Sequence, residues 1–197
     1  MKRPEALDRV LDAARDFLVA RVEAGTPPGD AVRRVFDALT GSAGVIASGE
    51  FPPPPAYRYL STALERACAA PEVAPLANAF AALEPDLGWG RRSGSEAHGE
   101  TFHDGHANAV LVGPAGLEQR SDVLIGASLV APGIRYIDHR HPPEELYIVM
   151  SGGEWYREDR GWHAPGVGGI VYNPPDAVHA MRAGPEPLLA LWLLPVS

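Results

Sequence analysis

Four side chains carry most of the chemistry legible in this chain. His139 and His141 stand two residues apart, Glu145 follows, and His179 comes from a later block, GGIVYNPPDAVH. Imidazole and carboxylate together suit one first-row divalent ion: Zn, Fe, Mn, Ni or Co. In a strand, alternate residues share a face, so His139 and His141 can point at one ion. Glu145 and Tyr147 share the parity of the two histidines. Pro142 and Pro143 interrupt the ladder between the two pairs, so parity across them is suggestive only. Glycines bracket the stretch at Gly133 and Gly152.

The elements that must position these residues are short β runs. From residue 107 onward, apolar stretches at about 107–112, 121–130, 133–138, 145–151, 153–158, 168–172, 178–182 and 187–194 are punctuated by glycine or proline. Many short strands at regular spacing argue an antiparallel sandwich or small barrel. Gly152-Gly153 suits a tight hairpin turn. Ahead of them the chain reads as helical. Leu7, Val10, Leu11, Ala14, Phe17, Leu18 and Val22 recur at helical spacing over 5–24, ending near Gly25. Asp30 can cap a second helix to about Leu39, and two more are expected over 56–70 and 72–83. Residues 41–55 form a Gly- and Pro-rich loop. Residues 85–106 read as a polar loop of the length often used for lids. Its His98, His103 and His106, like His163 in a later turn, have no element to organise them as ligands. The expected division is a helical region with its connecting loop over 1–106 and a β domain over 107–197.

Composition narrows the partners. The chain has 197 residues, 46% apolar and 21% charged, with a net charge of −8. Such a balance has no basic footprint for nucleic acid or an anionic membrane. The single cysteine, Cys68, cannot form an internal disulfide and reads as a buried structural thiol. The N-terminus lacks a continuous apolar run, so neither signal peptide nor membrane span is expected, and a cytoplasmic location is the default.

Gly133, His139, His141, Glu145 and Gly152 resemble the first motif of the cupin superfamily at every position. Gly168, Pro174 and His179 resemble the second, with Asp176 where that motif has glycine and Ala183 where it has asparagine. The resemblance implies a double-stranded β-helix, a jelly-roll barrel, following the helical region. It also implies a metal held by His139, His141, Glu145 and His179. Cupins are compatible with a homodimer.

One branch is closer. Tyr136, the run HRHPPEELYIVMSG, His179, the stretch FHDGHANAVLVGP and, more loosely, Trp192 resemble the cupin-type dimethylsulfoniopropionate lyases. That family cleaves its substrate to dimethyl sulfide and acrylate by β-elimination. The resemblance implies a small-molecule substrate, with Tyr147 as general base and Tyr136 as alternative base or substrate donor. It implies His139 as either a ligand or a substrate contact. An aromatic face such as Trp192 would attract the sulfonium cation. Two other readings stay open on the residues alone: a cupin enzyme of another activity (isomerase, dioxygenase or lyase on another small acid), and a metal-binding sensor without turnover. One fold hosts many reactions.

Overall fold

The computed structural model describes residues 2–41, 45–46 and 52–196. Helix α1 (Glu5–Val19) turns Leu7, Val10, Leu11, Ala14, Phe17 and Leu18 inward, the stripe its spacing predicts. It ends before Gly25, because the N–H groups of Arg21 and Val22 turn back onto the Leu18 carbonyl. Helix α2 (Pro27–Leu39) begins earlier than an Asp30 cap would allow. Thr26 caps it, accepting from the Gly29 N–H, and prolines fill the first turn, where no amide proton is needed. The expected loop 41–55 lies largely outside the described residues, with β1 (Val45–Ile46) inside it. The third expected helix is a 3₁₀ turn, Pro55–Tyr59, running into α3 (Leu60–Ala69); α4 (Ala74–Leu83) follows. Cys68 is half-buried rather than buried, and its burial raises the thiol pKa. Among the described residues, no helix is long and apolar enough to cross a membrane.

The segment 85–106 is more than a loop. It holds β2 (Trp89–Gly90), a 3₁₀ turn at Ser95–His98 and α5 (Glu100–Asp104). Ten strands come after it: β3 (His106–Val112), β4 (Glu118–Gln119), β5 (Val123–Val130), β6 (Arg135–His139), β7 (Glu145–Val149), β8 (Glu154–Arg157), β9 (Gly161–His163), β10 (Ile170–Asn173), β11 (His179–Arg182) and β12 (Leu188–Pro195). The runs expected from the sequence are all present. β4 and β9 are additions, and β9 puts the exposed His163 on a strand rather than a turn.

Two sheets result. The larger runs β1-β4-β3-β5-β12-β7-β10, with β2 paired to β3; the smaller runs β6-β11-β8-β9. Except for one parallel contact between β3 and β4, the pairings are antiparallel. Gly152-Gly153 does not close a hairpin. β7 belongs to the large sheet and β8 to the small one, so the turn carries the chain between sheets. A Cβ at Gly153 would lie 2.3 Å from Leu188 Cδ1, so this crossing needs glycine.

Side-chain alternation divides the interior in two. On the outer face of the large sheet, Leu129, Leu146, Ile148 and Leu191 join the helical residues Leu7, Leu18, Leu76 and Phe80 in one apolar core. On the inner face, Val130, Tyr147, Val149 and Ala190 meet Tyr136, Trp155 and Met181 of the small sheet. Two opposed antiparallel sheets with a helical region on one outer face form the cupin double-stranded β-helix.

Candidate metal centre

The four side chains expected to bind metal converge on the inner face. His139, His141, Glu145 and His179 each offer a donor atom, and these atoms lie within 4.8 Å of one another. His139 ends β6 and pairs with His179, which opens β11; their ring centroids are 4.1 Å apart. Glu145 opens β7. His141 stands in the link between β6 and β7, and its own carbonyl accepts from the Asp176 N–H at 3.0 Å. Asp176, where glycine was expected, holds φ 58°. Aspartate tolerates the left-handed region better than most residues, so the turn before His179 survives the substitution.

Each imidazole is oriented by its own stretch of backbone. The Nδ1 of His139 lies 2.9 Å from the Ile137 carbonyl, that of His141 2.8 Å from the Pro143 carbonyl, and that of His179 2.8 Å from the Ala177 carbonyl. A carbonyl only accepts, so each Nδ1 carries the proton, and in the neutral ring Nε2 is left as a bare lone pair. Glu145 Oε2 lies 3.3 Å from His141 Nε2 and 3.0 Å from His179 Nε2. The latter nitrogen is buried and, despite that short distance, makes no well-aligned hydrogen bond. The approach is electrostatic, and its poor alignment leaves the lone pair available. Converging lone pairs around a carboxylate oxygen need a positive charge between them, either a proton or a cation. Three imidazoles and one carboxylate fit a divalent ion.

The electrostatics agree with that demand. Burial alone would raise the Glu145 pKa, but the close approach of His141 and His179 outweighs it and holds it down to about 2. Burial, aided by the charge of His179, pushes His139 down to about 4. For His141, burial is outweighed by the bond and charge of Glu145, so its pKa rises.

Two phenols lie on the same face. Tyr147 shares the parity of Glu145 on β7, and its ring centroid is 6.4 Å from that of His179. Burial, then the charge of Glu145, raises its pKa well above the ordinary phenol value. Tyr136 lies three residues before His139, which in a regular strand would turn it to the opposite face. The ladder between β6 and β11 is irregular here: His139 pairs with His179 and Tyr136 with Met181. The extra residue on β6 brings both side chains inward. Tyr136 Oη accepts from Asn108 Nδ2 at 3.2 Å, and Asn108 Oδ1 accepts from Ser128 Oγ at 2.7 Å. Burial, the largest influence, raises the Tyr136 pKa; the Asn108 bond opposes it.

Trp192 reaches the same cavity. It is the cross-strand partner of Tyr147 on one side and of Gly126 on the other, and a Cβ at Gly126 would sit 2.1 Å from its Cζ2. The cavity has a volume of about 240 Å³ and is lined by His139, His141, Glu145, Tyr136, Tyr147 and Trp192, and also by Arg92, Asn108 and Ser128. A larger one of about 460 Å³, lined by Arg157, Arg160 and Asn173, contains no member of the metal cluster. Donor chemistry, not volume, selects the smaller.

The residues that spacing did not reveal are Arg92, Asn108 and Ser128. The last two had a faint signal, being polar positions at alternate places in HANAVLV and VLIGASLV. His98 and His103 do not join the cluster. His106, fully buried, does not either; it organises the neighbouring segment.

The fold and four-residue cluster define a cupin with a metal-competent centre. A family profile for dimethylsulfoniopropionate lyases matches residues 32–190, and the chain belongs to that family. The dimethylsulfoniopropionate lyase DddQ of Ruegeria pomeroyi is 31% identical over 122 residues, covering 61% of this chain. The match spans 60% of that curated relative's length. The crystal structure of DddQ from the same organism superposes with a TM-score of 0.70 at 23% identity, covering 98% of this chain and 92% of that one. A structure from work on the DMSP lyases RdDddP and RnDddQII gives 0.68 at 27% identity, covering 96% and 92%.

Proposed function

We propose that this protein is a divalent-metal-dependent carbon–sulfur lyase that cleaves dimethylsulfoniopropionate to dimethyl sulfide and acrylate. The observation that carries the reading is one cavity in which backbone-locked imidazoles and Glu145 leave room for a cation while two oriented phenols border it. Family membership supports it. His141, Glu145 and His179 would hold the ion, with His139 or Tyr147 completing the set. The donors admit Zn, Fe, Mn, Ni or Co. Such an ion, when bound, acts as a Lewis acid toward a substrate carboxylate oxygen and favours phenolate nearby.

This chain's own residues then do the rest. Tyr147 takes the proton from the carbon beside the carboxylate, as a general base placed within reach of it. The C–H electron pair becomes the C=C bond of acrylate, the C–S bond breaks, and its pair leaves with sulfur as a neutral thioether. Tyr136, held by Asn108, hydrogen-bonds the substrate. The Trp192 face attracts the sulfonium, an interaction typically worth about 0.5–2 kcal/mol. The apolar side chains lining the cavity, Leu124 and Leu194 beside Trp192, limit the access of bulk water to the proton being moved.

Headspace detection of dimethyl sulfide from purified protein at defined metal loading is the direct test. The expected result is release that scales with metal content. No release at any loading with any of the five ions would overturn the reading.

A further inference from the structure

Arg92 borders the cavity from the segment 85–106. Its neighbour Arg91 is tied outward, 2.6 Å from Asp104 Oδ1. Arg92 has no carboxylate partner among the described residues; its guanidinium carbon stands 6.0 Å from the Tyr136 ring centroid. Its backbone is anchored instead. The Arg92 N–H donates to His106 Nε2 at 2.9 Å, and His106 Nδ1 lies 2.6 Å from the Phe102 carbonyl. Both nitrogens of this buried histidine are thereby used, and its ring stacks on Phe102 with centroids 4.2 Å apart. Phe102 in turn meets the edge of Tyr136. The backbone that carries this half-buried cation is thus held beside the cavity, and the guanidinium has no carboxylate to neutralise it among the described residues.

Among the described residues Glu145 is the one acidic residue lining the cavity, and its carboxylate lies against His141 and His179, at 3.3 and 3.0 Å from their Nε2 atoms. Arg92 adds positive charge from a half-buried position, although the chain as a whole is at −8, whereas Arg140 is exposed and its charge is screened by water. A cavity of this kind attracts an anion, and a planar guanidinium matches a carboxylate.

Resting on the lyase reading for its substrate, we infer that Arg92 is the carboxylate anchor of this cavity. It holds the acid end of a small zwitterionic acid, repels the sulfonium end and so sets which way round the substrate lies. The shared chemistry is a short monocarboxylate, so the product acrylate binds the same anchor.

Calorimetric titration of metal-loaded protein with propionate, acrylate and the uncharged propionamide tests this without turnover. Metal content and melting temperature are checked for each variant. Arg92→Gln should weaken propionate binding about 10- to 100-fold, the range for losing a hydrogen bond to a charged group. Arg92→Met should do the same, and Arg92→Lys should keep part of the affinity. Arg140→Gln, removing an exposed charge, should leave it within about twofold. With dimethylsulfoniopropionate, Arg92→Gln should raise KM more than it lowers kcat. Propionate binding unchanged in both neutral Arg92 variants, no binding to the parent protein, equal binding of propionamide, or a loss carried by Arg140→Gln would each overturn the assignment. Absent dimethyl sulfide release would sink the lyase reading alone, because the carboxylate titrations still separate Arg92 from Arg140.

Discussion

Strand β7 is buried along its whole length, but its two faces serve different purposes. Leu146 and Ile148 point into the core shared with the helices, where the neighbours are aliphatic or aromatic. Glu145 and Tyr147, one step along the same strand, point into the metal-competent cavity. Ion pairs on the helical side, such as Arg34 of α2 with Glu144 just ahead of β7 and Arg3 just ahead of α1 with Glu118 of β4, tie the helical region to the β region. On the inner side, buried polar groups are aimed at one another around a gap. Adjacent residues of one strand therefore divide stability from chemistry, because the pleat sends them to opposite sides. Full burial says nothing about which task a residue has; its side of the sheet does.

The sharpest way to break this contrast is His179→Ala. It removes a donor without touching the helical core, and should reduce metal occupancy to near zero by elemental analysis while the protein still folds. Undiminished occupancy would remove His179 from the centre. Next comes Tyr147→Phe, which keeps the ring and deletes the hydroxyl. Dimethyl sulfide release at equal metal content should fall about 10²- to 10⁴-fold, the usual loss for a general base. Should Tyr136→Phe show that fall instead, the two phenols exchange roles.

Ile148→Ala, the next residue on β7, should do the reverse. Denaturant melts should show a loss of about 2–5 kcal/mol, the range for truncating a buried isoleucine. Metal stoichiometry and turnover per folded molecule should hold; a comparable loss of turnover would mean that the faces are coupled. A smaller effect is expected of Gly126→Ala, whose new methyl would collide with Trp192 and with the Ala109 carbonyl. It should cost about 1–3 kcal/mol, as overpacking does, and raise KM by displacing Trp192.

The smallest effect lies at alkaline pH, on the helical side. Burial, then a hydrogen bond to Glu84, pushes Tyr57 up to about 12. Its unfolded value is about 10. The folded state thus favours the protonated phenol, so its contribution is full below pH 10 and lost as pH rises through about 12. Stability measured between pH 10 and 12 should fall more steeply for the parent than for Tyr57→Phe. Equal slopes would show that folding does not raise the phenol's pKa.

Much of this was legible in the sequence because the key signals are local. His139, His141 and Glu145 lie within one short stretch, and strand runs and turn residues announced the β region. The α1 stripe was equally plain. What was hidden depends on contacts between distant segments. Arg92 reaches the cavity through His106, and Asn108 with Ser128 joins Tyr136 across two sheets; no spacing rule links such positions. The inward turn of Tyr136 depends on a register irregularity that parity arguments would reject. Gly152-Gly153 carries a turn signal, but whether a turn closes a hairpin or crosses between sheets is decided by which partners the strands find.

The three carbonyls that orient the histidines have a consequence for how such a site changes over generations. Ile137, Pro143 and Ala177 contribute main-chain oxygen, and no exchange of their side chains deletes it. In metal sites oriented by outer-shell carboxylates, one substitution can release a ligand. Here the aim of the imidazoles is inherited with the path of the chain. Mutation is therefore free to redraw the wall around Arg92, Tyr136 and Trp192 while the four-residue cluster keeps its place.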